Sequence, residues 1–136
     1  MKEPSAHRCA VLGSPIAHSL SPLIHQTAYD VLGLRDWTYE AFDVDEAGLA
    51  SFIASCGPEW VGLSCTSPLK RTLLKFGEAS ERARVLQSGN TYLFPRDGSP
   101  AFVDNTDVAG LLHPIRRAGF ENASSRSRLN RAVKVA

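Results

Sequence analysis

The feature that most narrows the folds open to this chain is an alternation of short apolar runs with segments of helical periodicity. Arg8 to Gly13 (RCAVLG) is an apolar run ended by glycine and reads as a first buried strand. The stretch SPIAHSLSP that follows is a loop with prolines at 15 and 22, and Ser21 before Pro22 combines an N-cap with a first helical residue. Leu23, Ile24, Thr27, Ala28, Val31 and Leu32 then recur at helical spacing, with Gly33 placed to stop the helix. Trp37 to Val44 (WTYEAFDV) is rich in aromatic and β-branched residues and predicts a second strand. Asp45 can cap a helix over 46–55 carrying Leu49, Phe52 and Ile53, which Gly57-Pro58 breaks. Trp60-Val61 reads as the end of a third buried strand, in an order that runs up to residue 64. Strand, helix, strand, helix, strand in that order predicts a parallel sheet with right-handed crossovers.

Beyond Ser64 the pattern shortens. A short helix is predicted near Leu69 to Lys75 and another helical segment near Ser80 to Leu86. Asn90 to Phe94 (NTYLF) reads as a strand, Arg96-Asp97-Gly98 as a turn, and Pro100 to Val103 as a short partner strand, together a hairpin. Asp104-Asn105-Thr106-Asp107 leads into a helix holding Val108, Leu111, Leu112 and Ile115, stopped near Gly119. The pattern fades from Glu121 onward, and neither a repeat nor an internal linker interrupts it.

Composition closes off several function classes. A chain of 136 residues with 43% hydrophobic and 21% charged residues is a single globular domain with room for a core. Its apolar runs fall well short of the ~20 residues of a membrane span, and MKEPSAHR lacks the apolar core of a signal peptide. Cys9, Cys56 and Cys65 are an odd number without a C-x-x-C pair. They predict buried small side chains in a reducing cytoplasm, not a disulfide framework or zinc site. Net charge is +1, yet four basic residues (Arg126, Arg128, Arg131, Lys134) and one acid fall in residues 121–136, leaving the rest at 11 basic against 13 acidic. That slightly acidic body has no footprint for nucleic acid, and the tail reads as a solvated, frayed end.

Four predicted loops carry polar residues at strand ends or helix starts: Ser19/Ser21, Ser64/Thr66/Lys70, Asn90/Thr91 and Asn105/Thr106/Asp107. In a parallel sheet most of these converge on the edge outside the carboxyl ends of the strands, where ligands of such folds bind. The central stretch is GLSCTSPLK (62–70). Pro68 biases Ser67 away from helix, so Ser64, Thr66 and Lys70 sit where a strand gives way to a helix. Hydroxyls, amides, one lysine and one carboxylate suit a polyhydroxylated carboxylate. Serines at a helix start can hold the acid group, and amides and hydroxyls can hold the ring alcohols. A lysine beside an aspartate can move a proton to or from such an alcohol. The plainer alternatives are an ordinary turn with a solvated lysine, and a surface ion pair worth under ~1 kcal/mol between Lys70 and Asp107. His7, His18, His25 and His113 are scattered and form no metal-ligand pattern.

The stretches GSPIAHSLSP, GLSCTSPLK, SGNT and DNTDVAG stand in the order and spacing of the substrate-binding half of shikimate dehydrogenase, which residues 8 to about 120 resemble. The resemblance implies a three-layer α/β fold. Its sheet would be six-stranded and mostly parallel, with one antiparallel strand supplied by the hairpin and helices on both faces. It implies that Ser19 and Ser21 hold the substrate carboxylate, that Ser64, Thr66 and Asn90 position ring hydroxyls, and that Lys70 is the acid/base, paired with Asp107. It divides the chain into a substrate-binding domain over 1–120 and a basic tail over 121–136.

The sequence departs from the family at two motifs. Ser64 stands where the motif N-V-T-x-P-x-K has asparagine, which leaves the choice between shikimate and quinate open. Gln87-Ser88-Gly89 replaces G-A-x. The family's reaction, reversible reduction of 3-dehydroshikimate to shikimate, uses NADP on a second, Rossmann-type domain. The fingerprint of that domain needs glycines two and three residues apart. Here the ten glycines are never closer than the five positions between 57 and 62. The resemblance thus implies NADP for the complete enzyme and no cofactor or metal on this chain. The expected ligand is shikimate or 3-dehydroshikimate, bound weakly and not turned over by the chain alone. The chain is expected as a monomer or homodimer, with a separate nucleotide-binding domain as a further partner. A stand-alone binding module for a hydroxylated carboxylate, or a vestigial product of a truncated gene, are the other readings.

Overall fold

The computed structural model describes residues 6–119. The basic tail over 121–136 lies outside the described residues. The elements are β1 (His7–Gly13), α1 (Ser21–Val31), β2 (Trp37–Asp43), α2 (Leu49–Ser55), β3 (Trp60–Cys65), a 3-10 helix (Thr72–Phe76), β4 (Glu78–Ala79), α3 (Glu81–Leu86), β5 (Thr91–Leu93), β6 (Phe102–Asp104) and α4 (Asp107–Arg117). The strands form a six-stranded sheet in the order β2-β1-β3-β5-β6-β4. β1 pairs in parallel with β2 and β3, and β6 with β4, while β5 runs antiparallel to both β3 and β6. The expected mostly parallel sheet with one reversed strand is what forms.

β1 lies between two parallel neighbours, and its consecutive Ala10, Val11 and Leu12 are all buried. A strand covered on both faces carries an unbroken apolar run instead of an alternating one. Ala10 and Leu12 join the larger core with Leu49, Trp60, Leu63, Leu69, Leu73, Tyr92 and Val103. Val11 points the other way, into a smaller cluster with Ile16 and Tyr39, against which Cys9 and Tyr29 pack. α1 brings Tyr29 to that second face. α2 and the 3-10 helix bring Leu49 and Leu73 to the first. Helices therefore lie on both faces of the sheet.

Several boundaries differ from the sequence reading. Ser21 is the first residue of α1 and not its cap; Leu20 occupies the cap position and makes no side-chain bond to the helix. α1 also turns its apolar residues outward. Leu23, Ile24, Val31 and Leu32 are 61–81% exposed, whereas Pro22, His25, Gln26 and Tyr29 face the protein, half-buried. The helix adheres to the sheet through rings, His25 stacking on Tyr39 and Tyr29 against Trp37. In α4, Leu111 and Ile115 are likewise exposed. Asp45 does cap its turn, accepting from Gly48 N at 2.9 Å, but α2 itself begins at Leu49. The helix expected near Leu69 is a 3-10 helix three residues later. β4, only two residues long, is a strand the residue pattern does not reveal. Gly77 admits it: a Cβ there would stand 2.8 Å from the Ala101 carbonyl, and Glu78 N bonds that same oxygen at 2.7 Å. The hairpin turn forms at Asp97 and Gly98, both at positive φ (52° and 79°), the pattern of a type I′ turn.

Burial pushes the Cys65 thiol up from 9.0 to about 12 and also raises Cys9 and Tyr39. The unfolded chain therefore releases these protons at lower pH than the folded one. Their contribution to stability is complete below the unfolded value and is lost as pH rises toward the folded one, at about 1.4 kcal/mol per pH unit for one such group. We expect denaturant midpoints to fall as pH is raised above 9, and Cys65→Ala to flatten that fall between 9 and about 12 whatever it costs at neutral pH. An unchanged slope in the variant would refute this origin.

Candidate functional site

Lys70 follows a residue that fixes it. Leu69 is fully buried and Thr66 accepts its N–H at 2.9 Å, so the turn through Ser67-Pro68 is closed beneath the lysine. Gly89 N donates to the Lys70 carbonyl at 2.7 Å, tying this loop to the start of β5. From there the Lys70 ammonium donates to Asp107 Oδ2 at 2.7 Å. The second oxygen of Asp107 accepts from Asn90 Nδ2 at 2.8 Å, and Asn90 Nδ2 also donates to Thr106 Oγ1 at 2.9 Å. On its other side Asn90 Oδ1 accepts from Thr106 N at 3.0 Å and from the Thr91 hydroxyl at 2.9 Å. Asp107 also lies in the first turn of α4, where a carboxylate is favoured by the helix dipole. The Lys70 and Asp107 side chains are 36% and 50% exposed, so the pair adds little stability. What it has is direction, because both carboxylate oxygens are engaged.

Asn105 supports this group from below. It is 2% exposed; its Nδ2 donates to the Ser88 carbonyl at 2.9 Å and its Oδ1 accepts from Asp107 N at 3.0 Å. Arg82 Nη1 donates to the Asn105 carbonyl at 3.2 Å.

A second group lies on the neighbouring strands. The Tyr39 hydroxyl on β2 donates to Ser64 Oγ at 3.0 Å. His25 stacks on Tyr39 with ring centroids 4.0 Å apart, and its Nδ1–H donates to the Ser21 carbonyl at 2.8 Å. Ser21 N in turn donates to Ser19 Oγ at 3.3 Å. Ser64 faces Thr91 in the β3–β5 register, so the two groups meet across that ladder. Thr66 is held by its N–H to the Leu12 carbonyl at 2.9 Å, beside a recess of about 270 Å³ that it lines with Ser67, Pro68, Lys70 and Arg71. A narrower recess of about 170 Å³ opens at Tyr39, Ser64 and Thr91.

Lys70, Asn90 and Asp107 are thus joined directly, Ser19 and Ser21 belong to one loop, and Ser64 is bonded to a residue the sequence reading did not single out. Tyr39 and His25 carry a signal only in combination: a tyrosine at a buried position of β2 and a histidine one turn into α1 have no spacing motif. Arg82 gives no signal at all. Among the described residues no cluster of histidine, cysteine or acidic side chains could hold a metal ion, and no helix is long and apolar enough to cross a membrane.

Residues 11–92 match the family described as the shikimate dehydrogenase substrate binding domain. The chain belongs to that family. The shikimate dehydrogenase (NADP(+)) of Methanococcoides burtonii is 39% identical over 113 residues, which cover 82% of this chain and 40% of that enzyme. The pentafunctional AROM polypeptide 1 of Lodderomyces elongisporus is 37% identical over 116 residues, 84% of this chain and 7% of the larger protein. Among solved structures, the shikimate dehydrogenase of Thermus thermophilus in complex with shikimate superposes with a TM-score of 0.73 at 36% identity, covering 83% of this chain and 43% of that one. The chain therefore spans less than half the length of these relatives.

Asn105 makes the site's geometry testable apart from any ligand. Asn105→Ala would leave the Ser88 carbonyl and the Asp107 N–H without their side-chain partners, a loss of about 1–3 kcal/mol. We expect a lower denaturation midpoint together with shifted amide signals at Asn90 and Asp107. A variant as stable as the parent, with those signals unmoved, would show that the support is not needed.

Proposed function

We propose that this chain provides the substrate-binding half of a shikimate dehydrogenase, taking shikimate or 3-dehydroshikimate at the edge where β1, β3 and β6 end and β5 begins. The observation that carries this reading is the hydrogen-bonded set Lys70–Asp107–Asn90 assembled from three separate loops. An ammonium has three donors; one is committed to Asp107, and the others are available to a ligand alcohol. In this reading Lys70 holds or releases the proton of the ring alcohol at the carbon whose oxidation state changes. Asp107 steadies the charged form of the lysine, and Asn90, Thr66 and Ser64 place the hydroxyls. Ser19 and Ser21, beside the first turn of α1, receive the carboxylate.

The described residues do not suit a dinucleotide. The turn after β1, where such folds hold a pyrophosphate, has its Ser14 N–H bonded to the Ser67 carbonyl at 3.1 Å and its Ser14 hydroxyl bonded to the Asp43 carboxylate at 2.7 Å. Its first amide is thus already bonded, and an acidic side chain from β2 stands beside it. We therefore assign this chain binding and proton handling only, with weak affinity for shikimate and no turnover alone. The exposed apolar residues of α1 favour a second element of the same reading, a partner polypeptide that carries the nucleotide. Without that observation the simpler module, binding a hydroxylated carboxylate with no chemistry, would serve as well.

Calorimetry with shikimate tests the site. We expect binding heat with the parent chain, at least tenfold weaker affinity in Lys70→Ala, and a smaller loss in Asp107→Asn, which keeps the shape but removes the charge. Equal heats in parent and Lys70→Ala would remove the lysine from the site, and none in the parent would end the reading. A spectrophotometric assay with shikimate and NADP should record no NADPH; formation at an enzyme-like rate would overturn the assignment of binding alone.

A further inference from the structure

Ser64 is a short side chain at the end of β3, and alone it reaches little. Its hydroxyl does not stand alone, since the Tyr39 phenol lies 3.0 Å away, and Tyr39 is itself 7% exposed. Tyr39 reaches Ser21 through the ring stacked on it. His25 stacks on its ring, nearly parallel at 8° and 4.0 Å away, and His25 is bonded to the Ser21 carbonyl at 2.8 Å. A carbonyl can only accept, so Nδ1 of His25 carries the proton, which fixes the ring's orientation. The start of α1 and the end of β3 are therefore joined through one β2 side chain, beside the recess that Ser64 and Thr91 line.

We propose that Tyr39 is a positioning residue of the ligand site, setting where Ser64 and Ser21 stand relative to each other and supplying with Ser64 the reach that a longer side chain at 64 would have alone. The inference rests on the reading of the site given above, but its geometric half does not need a ligand. β2 then determines selectivity among ring hydroxyl patterns without touching the ligand's reacting carbon. Burial raises the phenol above its ordinary range, so the group remains a neutral hydrogen-bond donor at physiological pH.

Tyr39→Phe removes the hydroxyl and keeps the stacked ring. In two-dimensional amide spectra of the full chain without ligand, we expect the Ser64 and Ser21 signals both to move in this variant. With shikimate, affinity should fall roughly three- to tenfold, the scale of one neutral hydrogen bond. The same change made in a Ser64→Ala background should have no further effect on affinity. Unmoved Ser64 and Ser21 signals would overturn the proposal whether or not shikimate binds. So would an equal loss of affinity in both backgrounds. Should the parent chain give no heat with shikimate, the ligand assignment falls, and the amide shifts still decide the role of Tyr39. If Tyr39→Phe fails to fold, Ser64→Ala must itself shift the Ser21 amide through Tyr39 and His25; no shift there counts against the inference.

Discussion

The reversal of β5 is the constraint on which the site depends. β1, β3 and β6 run the same way, and their carboxyl ends define one edge of the sheet. A parallel β5 would deliver its first residues to the opposite edge. Because it runs against both neighbours, Asn90 at its start lies beside the ends of β3 and β6, where Cys65 N bonds the Asn90 carbonyl at 2.8 Å and Asn90 N bonds the Asp104 carbonyl at 3.0 Å. The amide side chain is then within reach of Asp107, and Lys70 approaches from the other side. One antiparallel strand in a parallel frame thus brings a strand's beginning to meet two strands' ends. The I′ turn at Asp97-Gly98 sustains it, since that turn's twist suits a two-residue hairpin.

The surface of α1 has a different logic. Parallel sheets are ordinarily covered on both faces by helices whose apolar stripe faces inward. Here the inward face is aromatic and polar, and it ends in the Tyr39–His25 stack beside Ser64. The apolar residues look outward: Leu20, Leu23, Ile24, Val31 and Leu32 are five large exposed side chains within thirteen residues. Single exposed leucines are ordinary, while a run of them on one helix marks a surface that meets another. Leu111 on α4 extends the same character.

The larger elements were legible because burial on both faces leaves a strong trace. RCAVLG and the strand at Trp60 read as apolar runs, and the reversed hairpin announced itself through Asp97-Gly98. What the residues could not reveal depends on partners distant in sequence. β4 exists because Gly77 lets two backbones approach, and a two-residue strand has no period to detect. The direction of α1 was hidden because periodicity shows that a face is apolar, not what covers it. In the site, Lys70, Asn90 and Asp107 stood out as polar residues at element ends. Asn105, beside Asp107, drew notice for its position in that loop, although its role is to support the loop from inside. Tyr39 does not stand out, since nothing in WTYEAFDV separates a core ring from one whose hydroxyl reaches Ser64.

An ion pair as open as Lys70–Asp107 contributes too little to stability to be explained as a fastening of the fold. Its surroundings are nevertheless built with care: Asp107 has one oxygen on Asn90, the other on Lys70, and its N–H on an asparagine that is 2% exposed. Ordering a long lysine side chain costs entropy that one exposed salt bridge barely recovers. The scaffold bears part of that cost through Asn105 and Asn90, which hold Asp107 from its N–H and its carboxylate. The lysine therefore meets a carboxylate already oriented. Arg8 and Glu40 bond at the same 2.7 Å, but there the further contacts, Glu59 at 4.0 Å and the Trp60 ring at 4.4 Å, gather on the cation, whereas around Lys70 and Asp107 they gather on the carboxylate and fix its direction.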